Sequence, residues 1–302
     1  MIDPKYSEAF IAALETGSFE AAAEKLCLSA SAVSLRIQNL ESQFGETLVL
    51  RERPCRTTST GKILFEHLQA LQLQQEKFRQ RLNEHHQGST RFHTIKIGCN
   101  ADSLESWLLG SLADCLIEQR IVLELIILDQ NDTHHLFKTG QVNACISTKT
   151  KPMKGCESHV MGTMRYRLVA TPEFKARWLS QGLDRVSLNL APAVIFNAQD
   201  HLHTALLQRH FGLRPEHYPH HFIPSSRAFV QCIALGLGYG LVPEIQMQQQ
   251  LKDGVLVELA EELAVDVVLY WHHWENQSGV MQLLSQHILE HAAQHMHITQ
   301  PD

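Results

Sequence analysis

Residues 17–61 read as a short helix, a tight turn, a second helix and a β-hairpin, and this stretch constrains the fold more than any other. Ser18 opens the first helix, Phe19-Glu20-Ala21-Ala22-Ala23-Glu24-Lys25-Leu26, and Cys27-Leu28 form the turn. Its small residues let another helix cross it closely. Ser29 can cap a second helix that runs through Val33, Ile37 and Leu40 to Phe44. Those three residues fall at i, i+4 and i+7, so one stripe faces a core while Ser31, Ser34 and Arg36 turn outward. A helix carrying short hydroxyls and an arginine fits the major groove of B-DNA, where they meet base edges and phosphates.

The next residues extend the pattern. Gly45 stops the helix, and Thr47-Leu48-Val49-Leu50 is apolar enough for a strand. Arg51, Arg53 and Arg56 flank Pro54-Cys55, and Thr57-Thr58-Ser59-Thr60-Gly61 supplies hydroxyls and a helix cap. Arginines on a tight β-turn suit phosphates or the minor groove. The bland alternative is a solvated surface on a helical subdomain. Spacing, wing and caps agree on double-stranded DNA, with Ser29, Ser31, Ser34, Arg36, Arg51, Arg53, Arg56 and Thr58 as the candidate contacts.

The chain has 302 residues, enough for two or more domains, and 44% are hydrophobic, as in a globular protein. A net charge of −6 is unusual for a nonspecific nucleic-acid coat but acceptable for a sequence-specific regulator, which needs only a local basic face. That charge gathers at Arg36, Arg51, Arg53, Arg56 and Lys62. No apolar run is long enough for a membrane span, and the N-terminus does not read as a signal peptide. Seven scattered cysteines without a Cys-x-x-Cys pair suit a reducing cytoplasm.

A long helix is expected from Gly61 to about His86. Leu64, Leu68, Leu71, Phe78 and Leu82 form a heptad seam in it, interrupted by Gln75, which predicts a dimer-forming linker. Gln87-Gly88-Ser89-Thr90 then marks a boundary. Beyond it strands and helices alternate: Ile95–Gly98, a helix from Ser103 to Glu118, Val122–Leu128, a short helix from His134 to Thr139, and Ala144–Ser147. A second unit starts near Tyr166–Ala170 and includes Ala193–Phe196, helices over His201–His210 and Ala228–Leu235, and Gly240–Val242. A strand over Val265–Tyr270 and a helix over Val280–His295 close the chain. The pattern predicts α/β lobes with a mostly parallel sheet.

These residues resemble the LysR-type transcriptional regulators. Ala21-Ala22, Leu26, Ser29, Ser31-Ala32-Val33-Ser34, Ile37, Leu40-Glu41 and Gly45 carry that likeness, which extends over essentially the whole chain. A narrower likeness points to the family's arginine/lysine-responsive branch, also described as an inhibitor of chromosome initiation. It rests on Arg51 with Pro54, Arg56, Thr58 and Gly61, on Asn100-Ala101-Asp102-Ser103-Leu104 with Trp107-Leu108-Leu109, on Ser225-Ser226 with Ala228-Phe229-Val230-Gln231, and on Leu269-Tyr270-Trp271-His272. Ala30 departs from the glutamine that many members carry at the start of the recognition helix.

The resemblance implies an N-terminal α-helical winged helix-turn-helix domain over 1–60 and a linker helix over 61–88. The effector region it implies has two α/β lobes and is periplasmic-binding-protein-like, with lobe 1 over 89–163 and 268–302 and lobe 2 over 164–267. It also implies a cytoplasmic homodimer or homotetramer acting on promoter DNA, with RNA polymerase as a further partner. Control of basic amino-acid transport or metabolism genes by lysine or arginine follows from the narrower branch. Four segments are expected on the cleft: Asn100 to Ser103, Ser147-Thr148, Asn197 to His203, and Ser225-Ser226 with Phe229. Within them Ser103 and Ser226 could meet a ligand carboxylate, and Asp102 and Asp200 a cationic group. Asn100, Ser147, Thr148, His203, Ser225 and Phe229 complete the candidate set. Helix capping alone also accounts for Asp102, Ser103 and Asp200.

Rival readings are a ligand-independent architectural or replication-origin binder, a thiol-sensing regulator using Cys145 and Cys156, and a solute-binding or enzymatic α/β protein. The wing arginines oppose the last. Gly236-Leu237-Gly238-Tyr239-Gly240 follows a helix, which rejects a dinucleotide loop. Adjacent histidine pairs such as His272-His273 point to opposite faces of a strand, and His291 with His295 offers only two ligands. No catalytic constellation, cofactor or metal is expected.

Overall fold

The computed structural model describes residues 2–85, 92–127, 137, 141–153 and 155–297, without the side chains of 72, 73, 76, 77 and 79–85. Two compact units divide the chain, one built on the residues up to Arg91 and the other from Phe92 onward. The expected helix over His134–Thr139 apart from Phe137, the Gln87–Thr90 break and the Leu82 side chain lie outside the described residues.

The first unit opens on α1 (Pro4–Thr16), where Asp3 accepts from the Lys5 amide and Pro4 takes a position that needs no amide proton. Gly17, at φ 77°, ends it. α2 (Phe19–Leu26) is capped by Ser18 and stopped by Cys27 in a left-handed conformation; α3 (Ala30–Phe44) is capped by Ser29 and stopped by Gly45. A two-stranded antiparallel wing follows, β1 (Val49–Leu50) with β2 (Arg56–Thr57), and then α4 (Ser59–His85), which starts two residues before the expected Gly61. Phe10, Ala13, Ala22, Val33, Ile37, Leu40, Leu48, Leu64, Phe65 and Leu68 form its core. A Cβ on Gly61 would lie 2.0 Å from the Leu48 carbonyl oxygen, so only glycine lets α4 pass the wing.

The seam expected along α4 divides. Leu64 and Leu68 pack into the head's own core, whereas Leu71 and Phe78 are 39% and 63% exposed.

The second unit is built on β3 (His93–Cys99), β4 (Ile121–Ile127), β5 (Ala144–Ser147) and β6 (Cys156–Ala170). Between β3 and β4 a helical run passes through Ala101–Ser103, a π turn at Leu104–Leu108, and α5 (Leu109–Glu118). α6 (Pro172–Trp178), α7 (Arg185–Leu190), β7 (Ala193–Ile195), α8 (His201–Phe211), β8 (His220–Phe222) and α9 (Ser226–Ala234) follow. β9 (Gly240–Pro243), α10 (Glu244–Lys252), β10 (Val257–Glu258), β11 (Val265–Trp274) and α11 (Gly279–His295) complete it.

The main sheet is mixed rather than mostly parallel. Its order is β10-β6-β11-β5-β3-β4, with β9 also on β6. β3 pairs in parallel with β4 and β5, but β6 pairs antiparallel with β9, β10 and β11, and β11 with β5. The reason is the return of the chain: β6 and β11, of 15 and 10 residues, run past each other in antiparallel pairing. Their register shifts between Leu269 and Tyr270, where Met161 is the extra residue. Gly162 beside it has φ 139°, and a Cβ there would sit 2.6 Å from Met296 Cβ. Met296 is close because the end of the chain bridges back to β6, through reciprocal Thr163 and His297 amide-to-carbonyl bonds of 2.9 and 3.1 Å.

Candidate effector cleft and nucleic-acid interface

In the head, α3 turns its apolar stripe of Val33, Ile37 and Leu40 inward. Ser29 and Ser31 are exposed, and their hydroxyls lie 2.9 Å apart. Ser34 and Arg36 are half-buried on the flanks. Leu35, 57% exposed, and exposed Gln38 stand nearer the centre of the outward face; a stricter 3.6-residue projection from Val33 would have found them.

The wing is tied to α2. Arg51 lies over the Phe19 ring at 5.3 Å, Arg53 donates to Glu20 at 3.1 Å, and the Cys55 amide donates to the Gly17 carbonyl at 2.8 Å. Arg56 is exposed. Thr58 donates to the Thr47 carbonyl at 2.7 Å and caps α4 through the Gly61 amide at 3.0 Å, which fixes the wing's outgoing strand.

The second unit holds a cavity of about 530 Å³. Five of the expected ligand residues line it: Asn100, Asp102, Asp200, Ser226 and Phe229. Ser103, Ser147 and His203 are buried away from it, Thr148 is not on its wall, and Ser225 caps α9 by accepting from the Ala228 amide. Ser147 accepts from the Lys149 amide at 3.1 Å. His203 sits among Tyr218 and Tyr239, with both ring nitrogens lacking a partner; burial, partly offset by Asp200, lowers its pKa to about 4 and keeps it neutral.

Asp102 organises the cavity wall. Ser226 Oγ donates to its Oδ1 at 2.6 Å, Tyr166 OH to its Oδ2 at 2.8 Å, and Gln246 Nε2 to its Oδ1 at 3.4 Å. With the Ser226 proton spent on Asp102, Gln246 Nε2 serves the same hydroxyl as donor at 2.9 Å. A carboxylate has about four lone-pair directions. Three donors leave room for one more. Burial pushes the Asp102 pKa up, the three donors pull it back, and the negative charge of Asp200 adds to the rise. Asp200 caps α8 through the Leu202 and His203 amides and also accepts from the Phe196 amide. No lysine, arginine or histidine stands among the described lining residues.

Tyr166 and Gln246 were not in the candidate set. Tyr166 lies in the interior of β6, and Gln246 in the first turn of α10 after Pro243. A polar residue opening a helix directly after the Leu241-Val242-Pro243 strand was the available signal.

Residues 5–62 match the bacterial regulatory helix-turn-helix family of the LysR type, and residues 89–293 match the LysR substrate-binding domain. The chain belongs to the LysR-type transcriptional regulators. It is similar to the HTH-type transcriptional regulator ArgP of Pseudomonas fluorescens, at 37% identity over 97% of both chains, and to ArgP of Vibrio parahaemolyticus, at 34% over 98% of both. Among solved structures, ArgP from Mycobacterium tuberculosis matches the regulator with a TM-score of 0.79 at 32% identity, covering 99% of this chain and 100% of that one. The full-length LysR-type LysG of Corynebacterium glutamicum with bound effector Arg matches it with a TM-score of 0.75 at 28% identity, covering 98% and 99%.

The thiol-sensing alternative meets buried sulfur. Burial raises the pKa of both Cys145 and Cys156, the latter to about 12, which leaves little thiolate to react.

Proposed function

We propose that this regulator senses lysine or arginine in the effector cleft and controls basic amino-acid transport or metabolism genes from promoter DNA. The observation that carries the reading is the wall itself: two aspartates, Asp102 and Asp200, and no basic side chain among the described lining residues. A basic amino acid brings two cationic groups and one carboxylate, and burying a cation without a partner costs several kcal/mol. Asp102 has an open lone-pair direction for one of those cations. Asn100 adds a buried Oδ1 that lacks a protein partner at the same wall. The first-turn amides of α9 suit the ligand carboxylate. Ser226 then acts through Asp102, whose carboxylate it orients. The arginine bound by the LysG neighbour supports this chemistry.

Lobe boundaries at 163/164 and 267/268 are part of the same proposal, supported by the β-bulge where β6 and β11 pass. So are a head over 1–60, a linker over 61–88, and a homodimer seam using the exposed Leu71 and Phe78. Recruitment of RNA polymerase belongs to the proposal as well. A ligand that prefers one lobe arrangement would shift how paired heads sit on DNA, by as much as its two affinities differ.

Calorimetry of the full chain against lysine, arginine, leucine and glutamate tests the reading. Saturable binding of a basic amino acid alone is expected, together with a footprint that changes on its addition. Equal heats for all four, or none, would sink it. An unchanged footprint despite binding would favour the architectural or origin-binding alternative.

A further inference from the structure

β6 and β11 bring three metal-ligating side chains together at a place remote in function from the cleft. Glu157 and His159 are two apart on β6 and therefore share a face of the sheet. His273 on β11 is the register partner of Glu157 and lies on that same face. Glu157 Oε2 is 3.1 Å from His159 Nε2 and 3.7 Å from His273 Nε2. One donor atom from each residue lies within 4.8 Å of the other two.

We propose that Glu157, His159 and His273 form a site for a divalent first-row transition-metal ion, with zinc the simplest occupant.

The orientation of His273 favours this. Its Nδ1 lies 2.9 Å from the Trp274 carbonyl, an acceptor, so the proton sits on Nδ1 and the Nε2 lone pair faces Glu157 and His159. The rings of His159 and His273 stack at 5.1 Å with 13° between planes, so both Nε2 atoms approach Glu157 from one side. Two imidazoles and one carboxylate are borderline donors suited to zinc, nickel, cobalt or iron(II), and unsuited to calcium or magnesium. Binding takes the His159 Nε2 lone pair, so the neutral ring carries its proton on Nδ1 and the Nε2 contact with Glu157 gives way to coordination. The remaining positions go to water, because His159 and Glu157 are 44% and 49% exposed.

Among the described residues no other trio of histidine, cysteine or carboxylate donors comes together in this way. The His287–His291 pair on α11 also stacks, at 5.7 Å, but has no third donor and serves as the comparison. The site would pin β6 and β11 together.

The test is zinc titration of the chelator-treated full chain by calorimetry, in wild type, His159→Ala, Glu157→Gln and His291→Ala. One saturable site is expected in wild type and His291→Ala. It should weaken about tenfold or more in His159→Ala and in Glu157→Gln, whose half-exposed side chains the core does not depend on. Cobalt should give a visible absorption band that these two variants lack. Isotherms of His159→Ala and Glu157→Gln that superimpose on wild type overturn the proposal. Equal loss in all three variants overturns it too, because it would mean generic histidine binding.

Discussion

The DNA-binding head and the effector cleft are assembled in opposite ways. The candidate DNA contacts of the head all come from Ser29 to Thr58, one continuous stretch whose helix, α3, carries its own cap and its own stop. The cleft draws on Asp102, Tyr166, Ser226 and Gln246, from four elements, and the Gln246–Asp102 contact spans 144 residues of sequence. Local assembly makes the head robust to changes elsewhere, while the cleft depends on the placement of every element around it. Variants that touch only one region should therefore separate the two activities.

The largest separation is expected from Asp102→Asn. The substitution keeps the shape but removes the negative charge, and whichever of Ser226 and Tyr166 then faces the new amide nitrogen must turn its hydroxyl to accept instead of donate. A ligand cation left without its partner costs about 3–5 kcal/mol, or roughly 150- to 5,000-fold in lysine or arginine affinity. Ligand-free DNA affinity should not change. Wild-type calorimetry for Asp102→Asn would remove this residue from the site, and parallel loss of DNA binding would break the contrast itself.

His203 tests the cleft's supporting core. Its folded pKa is about 4 against 6.5 for a free imidazole, because burial disfavours its charged form. The neutral ring contributes full stability above about pH 6.5, and that contribution is lost as pH falls toward 4, when the unfolded chain takes the proton first. The loss amounts to about 3 kcal/mol. Asp102, whose pKa burial raises, contributes to the pH dependence with the opposite sign, so the useful quantity is a difference. Urea unfolding of wild type and His203→Phe at pH 7 and pH 5 should show the gap between them shift toward the variant on acidification. A gap independent of pH would mean that His203 is not buried uncharged.

The same contrast governs what could be read in advance. Ser18, Ser29, Gly45 and the Val33–Ile37–Leu40 stripe act within a few residues, so the helices of the head were legible. α1 carries the same local signals in its Asp3-Pro4 start and Gly17 stop. Asp102, Asp200 and Ser226 were legible as polar residues at strand-to-helix junctions. Tyr166 and Gln246 were not, because their importance arises only when β6 and α10 bring them to Asp102. Hydrophobic periodicity marks strands without giving their direction, which is why a mostly parallel sheet was expected where β6 and β11 run antiparallel. The same limit applies to α4: leucines spaced for a partner helix look identical to leucines packed on their own domain, and Leu64 and Leu68 are the latter. Nor does adjacency of His272 and His273 reveal that His273 meets His159 across the strands.

The head should yield smaller, salt-dependent effects. Arg53 is held by Glu20 in the free protein, so a DNA phosphate must compete with that carboxylate. Replacing Arg53 with Gln should weaken binding to all sequences and flatten the dependence of log K on log salt by about one unit. Glu20→Gln should act the other way, freeing the arginine and tightening binding modestly at low salt. Fluorescence anisotropy with specific and scrambled duplexes over a salt series reads both. If neither variant moves the slope, the wing is not at the phosphates.

The smallest expected effect is also the most diagnostic for the cleft. Tyr166 donates to Asp102 Oδ2, one of the bonds that pull down a carboxylate pKa otherwise raised by burial. A bound ammonium or guanidinium favours the ionised carboxylate still more, so ligand binding should expel a proton wherever Asp102 is partly protonated in the free protein. Affinity for lysine or arginine should then rise with pH through the free-state pKa and level off above it. Tyr166→Phe removes one donor, which moves that pKa further up and shifts the whole rise to higher pH. On the plateau the loss should be only that of one hydrogen bond to a charged group, about 1.5–3 kcal/mol at most. Calorimetry in buffers of different ionisation enthalpy counts the protons released and locates the midpoint. An upward-shifted midpoint in Tyr166→Phe identifies Asp102 as the titrating group that meets the cation. A pH-independent affinity in both proteins would mean that the ligand's charge is met elsewhere, and the cleft would then be as locally built as the head.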